Sequence, residues 1–211
     1  MSGLVLKDFL FMKKQVRYYL AIIVVYCVLC FFWDQPGILL TLGCVVSMIY
    51  PIQAFAGDEG CHWQMMERIL PVPLGRVVLA RYLSTLLVSL AAVGGGALVM
   101  WIYYAVRGEA LPDEMLFLAL CIAGVVFLME ALVIPVLYRF GSSSGRLVMI
   151  VILVLVFGAV YLCSHVIGLS PDDPELNRML MRYIYFFPAV GFVCLIPSCL
   201  ISLALYRKKE Y

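Results

Sequence analysis

Six stretches of this chain are apolar for long enough to cross a lipid bilayer, and that pattern leaves few folds open. The spans are expected at residues 18–33, 38–56, 77–106, 115–138, 147–168 and 183–206. Each comes close to the ~20 helical residues that a bilayer core requires. Of the 211 residues, 65% are hydrophobic and 13% are charged, against roughly 25% charged in soluble domains. A soluble fold could not hide that much apolar surface, so lipid is the solvent for most of the chain. In lipid a helix satisfies its own backbone, which points to an all-α membrane protein. The breaks are short. Asp34-Gln35-Pro36-Gly37 reads as a tight turn, Arg107 to Asp113 as a polar break, RFGSSSGR (139–146) as a flexible loop, and 169–180 as a polar segment with Pro171 and Pro174. None is long enough to fold alone, and no internal repeat is visible, so residues 1–211 form one transmembrane domain.

The cations are distributed unevenly between the two sides. With the N-terminus inside, only Arg107, Arg178 and Arg182 of the 15 lysines and arginines fall outside. The positive-inside rule therefore puts both termini, and the loop after the second span, in the cytoplasm. Tyr18, Trp33, Trp101, Tyr138 and Tyr206 stand at span ends, as interface aromatics do. The opening segment, 2–17, carries Val5, Phe9, Met12 and Val16 as one stripe, with Lys7, Lys14 and Arg17 on the other side. It reads as an amphipathic helix lying in the membrane interface, or else as a basic flank that orients the first span. Nothing in it resembles a cleaved signal peptide.

The longest polar interruption is Gly57 to Arg81, GDEGCHWQMMERILPVPLGRVVLAR. Trp63, Met66, Ile69 and Leu70 share one face of a short amphipathic helix, with Gln64, Glu67 and Arg68 elsewhere on it. Asp58 and Glu59 are expected just before that helix, where its dipole favours anions. Pro71 and Pro73 stop it. Such a helix is a handle by which a soluble partner could move the membrane part; alternatively it lies on the membrane with Trp63 among the headgroups.

Familiar catalytic patterns are missing. The sequence has no GxxxxGK[ST], no HExxH and no GxSxG. His62 and His165 fall on opposite sides, and Cys61-His62 is a pair of neighbours rather than a metal site. Seven of the eight cysteines sit in apolar runs, where cysteine packs as a small hydrophobe; Cys27 and Cys30 have redox spacing but lie in a membrane helix. No catalytic, cofactor-binding or metal residue is therefore assigned, and no nucleic-acid partner is expected. Glu130 is the one acid inside a span, which makes it a candidate for a translocation path or gate. The other reading is a polar contact between helices near Pro135. Gly94-Gly95-Gly96 reads as a notch for close helix approach, or as a loosening of the third span.

The opening LVLKDFLFMKKQ, the segment AFAGDEGCHWQMMERILPVPLGRVVLARYL and six spans with both ends inside resemble the small ABC type-2 permeases, the membrane subunits of ABC exporters. The matching positions are Lys7 and Asp8; Asp58, Glu59 and Trp63; Leu70, Pro71 and Val72; and Arg76, Arg81 and Tyr82. The resemblance implies a transporter half that pairs with a second permease, identical or homologous, in a bacterial plasma membrane. A separate ATPase subunit would bind the ATP, and this chain would have no ATPase site and no cofactor of its own. The opening helix would connect to the ATPase. The loop helix, with Asp58, Glu59, Trp63, Met66, Glu67, Arg68 and Leu70, would be the coupling helix. Two rival classes are a non-transporting scaffold or immunity protein and a lipid-modifying enzyme. The enzyme would need acids clustered at one face, whereas Glu109, Asp113, Glu114, Asp172, Asp173 and Glu175 are scattered in turns.

Overall fold

The computed structural model describes residues 2–33, 37–63, 66, 73–108, 110–166 and 186–208. Five long helices account for nearly all of them: α1 (Ser2–Trp33), α2 (Gly37–Gly60), α3 (Leu74–Arg107), α4 (Asp113–Val166) and α5 (Phe187–Lys208). Among the described residues, four segments are long and apolar enough to cross a membrane, namely Leu40–Gly60, Leu74–Arg107, Met115–Ser143 and Phe187–Arg207; Arg17–Cys30 is a shorter apolar helix. The expected fifth span is helical to Val166, and its last residues, like the expected start of the sixth at 183–185, lie outside the described residues.

Several expected boundaries are corrected. The opening segment is not a separate helix, because α1 runs unbroken from Ser2 to Trp33. No glycine or proline stands between Lys14 and Trp33 to stop it, and its first turns find polar partners on α2 and α3, described below. At 32 residues it is about 48 Å long, more than a bilayer core is thick. The second span, expected to end at residue 56, contains Pro51. The helix continues through it to Gly60, with Pro51 itself fully buried. Pro73, with φ −63° and ψ 134°, sets the start of α3, and Gly108 ends it in the left-handed region at φ 72°.

The expected loop at 139–146 is helical on both sides of one residue. Gly141 alone breaks α4, with φ 80° and ψ −179°, a conformation open essentially only to glycine. The fourth and fifth apolar stretches are thus two arms joined at a kink rather than by a loop.

Close packing is carried by single small residues. A Cβ on Gly43 would meet the Ala92 carbonyl oxygen at 2.9 Å and Val93 Cα at 3.0 Å, so α2 and α3 touch backbone to backbone. At the expected notch Gly94-Gly95-Gly96, a Cβ on Gly94 or Gly95 would meet nothing within 4 Å, whereas Gly96 is buried. Gly191 holds α5 equally close to α4, its Cβ position 2.9 Å from the Gly124 carbonyl oxygen. We expect Gly43→Val to lower the stability of the detergent-solubilised protein by about 1–3 kcal/mol, since backbone cannot step aside as a rotamer can. Gly94→Ala, by the same thermal-unfolding measurement, should be neutral or slightly stabilising through helix propensity.

The core lies where α2, α3, α4 and α5 meet. Phe55, Val78, Tyr82, Ile134, Leu137, Tyr138 and Tyr206 are buried together there. Polar groups enter it only in partnership. The Tyr82 hydroxyl sits 2.7 Å from Ser198 Oγ and 2.8 Å from Ser202 Oγ, and Ser198 donates to the Ala131 carbonyl at 2.6 Å, linking α3, α5 and α4. The edge-on Phe55–Tyr138 pair, centroids 4.8 Å apart, and the Tyr138–Tyr206 pair, 5.3 Å apart, stack α2, α4 and α5 at one end of the bundle.

Candidate functional site

Above those aromatic rings the chain gathers most of its interhelical charge. Asp58 and Glu59 are expected just ahead of a loop helix, most of which lies outside the described residues. They occupy the last turn of α2, which runs through Gly57 and ends at Gly60. That is the unfavourable end of a dipole for an anion, so both carboxylates need compensation from elsewhere, and each finds it in a different way.

Asp58 is held by two cations. Lys7 Nζ of α1 lies 2.7 Å from Asp58 Oδ1, and the Arg81 guanidinium of α3 bonds Asp58 Oδ2. Arg81 also pairs with Asp8 of α1 at 3.1 Å, and Ser84 donates to Asp8 at 2.9 Å. Asp8 and Arg81 are each only 6% exposed. Two carboxylates and two cations therefore form a formally neutral cluster shared by three helices. The face of Phe55 lies 5.1 Å from the Arg81 guanidinium carbon and closes the site from below.

Glu59 is held by a helix N-terminus, but that of the second arm of α4 rather than of a loop helix. Its Oε1 accepts the Ser142 backbone N–H at 2.8 Å, and Oε2 accepts the Ser142 hydroxyl. The arm beyond the kink begins with unsatisfied N–H groups and a partial positive charge. A carboxylate delivered from α2 caps it, 83 residues away in sequence.

Of the remaining expected residues, Trp63 reaches this cluster. Trp63 is helical and half-buried, with Lys7 Nζ 4.5 Å above its ring centroid. It therefore packs back onto the opening helix while sharing Lys7 with Asp58. Met66 is helical and 57% exposed. Glu67, Arg68 and Leu70 lie outside the described residues, as do Ile69, Pro71 and Val72. Lys7 does not point at headgroups as an interfacial lysine would, because Asp58 claims it. The side chains of the expected apolar stripe, Val5, Phe9, Met12 and Val16, are not among those described. Glu130 is elsewhere, within the first arm of α4, 3% exposed and bonded to Ser89 of α3.

Reading the sequence paired Lys7 with Asp8, and Asp58 with Glu59, as neighbours along the chain. The structure pairs them across helices and adds Ser84 and Ser142, which the sequence reading missed. The signal for Asp8 and Arg81 was present: each is a charge within an apolar run, LVLKDFLF and VVLARYL, and such charges are seldom buried without a partner.

The clustered positions are among those that carry the motif of the sequence. The family described as ABC-2 family transporter protein matches residues 3–207. The chain belongs to the ABC-2 transporter family. The match takes in α1 through nearly all of α5, so the ABC-2 permease assignment applies to the helical bundle as a whole and makes this a multi-pass membrane protein. No curated protein matches the ABC-2 permease in sequence.

Proposed function

We propose that this permease is the membrane-spanning subunit of an ATP-binding-cassette exporter, driven by a separate ATPase subunit that binds the ATP. It forms the translocation path with a second permease chain, identical or homologous, in a bacterial plasma membrane. It crosses six times, with both termini cytoplasmic. The carrying observation is the charge cluster at one end of the bundle. Through it, whatever moves the segment 57–66 also pulls α1 by Lys7 and Asp8, α3 by Arg81, and the kink of α4 by Ser142. Coupling needs a physical element that the ATPase site and the membrane path both bias, and a cluster touching four helices at the end of the cytoplasmic loop has that form. The exposed Met66 and the residues that follow, Glu67, Arg68 and Leu70, present the contact surface. Trp63 backs it from the inside. Glu130 stands in the translocation path of this reading, at the junction of α3 and α4.

The test is Trp63→Ala with Met66→Ala in the purified complex with its ATPase. Loss of a large aromatic anchor costs about 2 kcal/mol, or roughly a 30-fold weaker ATPase association, while membrane insertion persists. Because Trp63 also packs on Lys7, Met66→Glu is the control: its side chain is exposed, so weakened association there reports on the partner and not on the fold. Normal co-purification and normal transport by both variants would overturn the coupling assignment.

A further inference from the structure

Glu130 poses a problem of hydrogen counting. It is 3% exposed, and no lysine, arginine or histidine among the described residues forms an ion pair with it. Its hydrogen-bond partner among the described residues is Ser89 of α3. Ser89 Oγ also lies 2.8 Å from the Thr85 carbonyl oxygen one turn earlier on its own helix. A serine hydroxyl carries one hydrogen, and here it faces two oxygen atoms. The neighbouring hydroxyls are already committed. Thr85 donates to the Arg81 carbonyl at 2.8 Å, and Ser47, across the narrow gap beside Glu130, donates to the Gly43 carbonyl at 2.7 Å. That gap, walled by Ser47, Met48, Pro51, Met129 and Val133, has no room for a water molecule to supply another hydrogen (0 Å³ for a water centre). The elements packed around it, α2 and α3, carry the charges Asp58 and Arg81, and Arg81 pairs with Asp8 of α1. Arg81 is eight residues from Ser89 along α3, about 12 Å away, and is held in the cluster by the other two. Tyr138 of α4 and Tyr50 of α2 also face Arg81.

We infer that Glu130 is a proton-binding site: it is held as the neutral acid, and it donates its own hydrogen to Ser89. Ser89 then donates to Thr85, and each contact has one hydrogen. An ionised Glu130 would leave a carboxylate in the membrane interior with no donor unless Ser89 turned away from its helix. Ser89 thus passes its hydrogen to the Thr85 backbone carbonyl, and the Thr85 hydroxyl in turn bonds the carbonyl of Arg81, the residue that holds the charge cluster together. Any separation of α3 from α4 at this level breaks the Glu130–Ser89 hydrogen bond. The inference stands whether or not the chain is an exporter, since it concerns the resting bundle alone.

The test is infrared spectroscopy of the full-length protein in lipid vesicles at neutral pH. Wild type should show the carbonyl stretch of a buried protonated carboxylic acid, and that band should be lost in Glu130→Gln. In Ser89→Ala the acid band should shift, because its hydrogen has lost its acceptor. If Glu130→Gln fails to fold, the Ser89→Ala spectrum decides. Loss or displacement of carboxylate bands in either variant, with no change in the acid band, would show Glu130 ionised and overturn the assignment.

Discussion

Arg81→Ala is expected to destabilise the permease by about 3–5 kcal/mol, the usual effect of removing one member of a buried ion cluster. The alanine leaves Asp8, only 6% exposed, beside Ser84 with its strongest cation gone. It also leaves Asp58 in the last turn of α2, at the negative end of the helix dipole, with Lys7 as its remaining charge partner. In a thermal scan in mild detergent, the drop corresponds to roughly 10 °C for a chain of this size. Arg81→Lys should recover part of it. A lysine restores the charge but cannot reach two carboxylates with one planar fork. The sharper experiment neutralises the three more buried charges of the cluster and leaves Lys7, the most exposed of the four. Asp8→Asn, Asp58→Asn and Arg81→Met together should regain most of the stability lost in Arg81→Ala, because the cost comes from unpaired charge rather than from lost attraction. If the triple variant is less stable than the single one, the cluster is held by its geometry and not by its charge balance.

Gly141→Ala should have an effect of similar size for a different reason. At φ 80° and ψ −179° the backbone lies where an L-residue is strained, by about 1–3 kcal/mol. The added Cβ would also come within 2.7 Å of Glu59 Oε1, the oxygen that accepts the Ser142 N–H. Pushing that carboxylate away removes a charged hydrogen bond, worth about 1.5–3 kcal/mol. The arm of α4 beyond the kink loses its cap, and the end of α2 loses its link to α4. Glu59→Gln should cost less, since the amide oxygen can still accept from Ser142 and only the charge is lost. Because both changes act on one contact, the double variant should be less damaging than the sum of the two. Equal stability of Gly141→Ala and wild type in the same scan would mean that α4 tolerates another path through the kink.

The two predictions separate what was legible in the sequence from what was not. Lipid as the solvent, helices as the only backbone solution, the order of the apolar stretches and the absence of familiar catalytic motifs all follow from residue type and run length. The motif positions Lys7, Asp8, Asp58, Glu59 and Arg81 could also be picked out, because charges are conspicuous in an apolar chain. Their roles could not. Periodicity placed the start of a loop helix near Trp63 but treated Asp58 and Glu59 as its prelude; the chain instead continues α2 over them, since helix propagation stops only where a glycine or a tertiary contact makes stopping cheaper.

RFGSSSGR was read as a loop because glycine and serine are weak helix formers. One carboxylate from α2 outweighs that propensity by capping Ser142, and only Gly141 had to leave the helical region. Gly94-Gly95-Gly96 drew attention as a cluster, yet the close approach falls on the solitary Gly43, because which face of a helix meets its neighbour is set by the neighbour. Local sequence thus determined the material and the order of this bundle. Which oppositely charged groups meet, where α4 bends and which glycine is indispensable were decided by tertiary structure, since each depends on a partner on another helix, some of them 76 or 83 residues away.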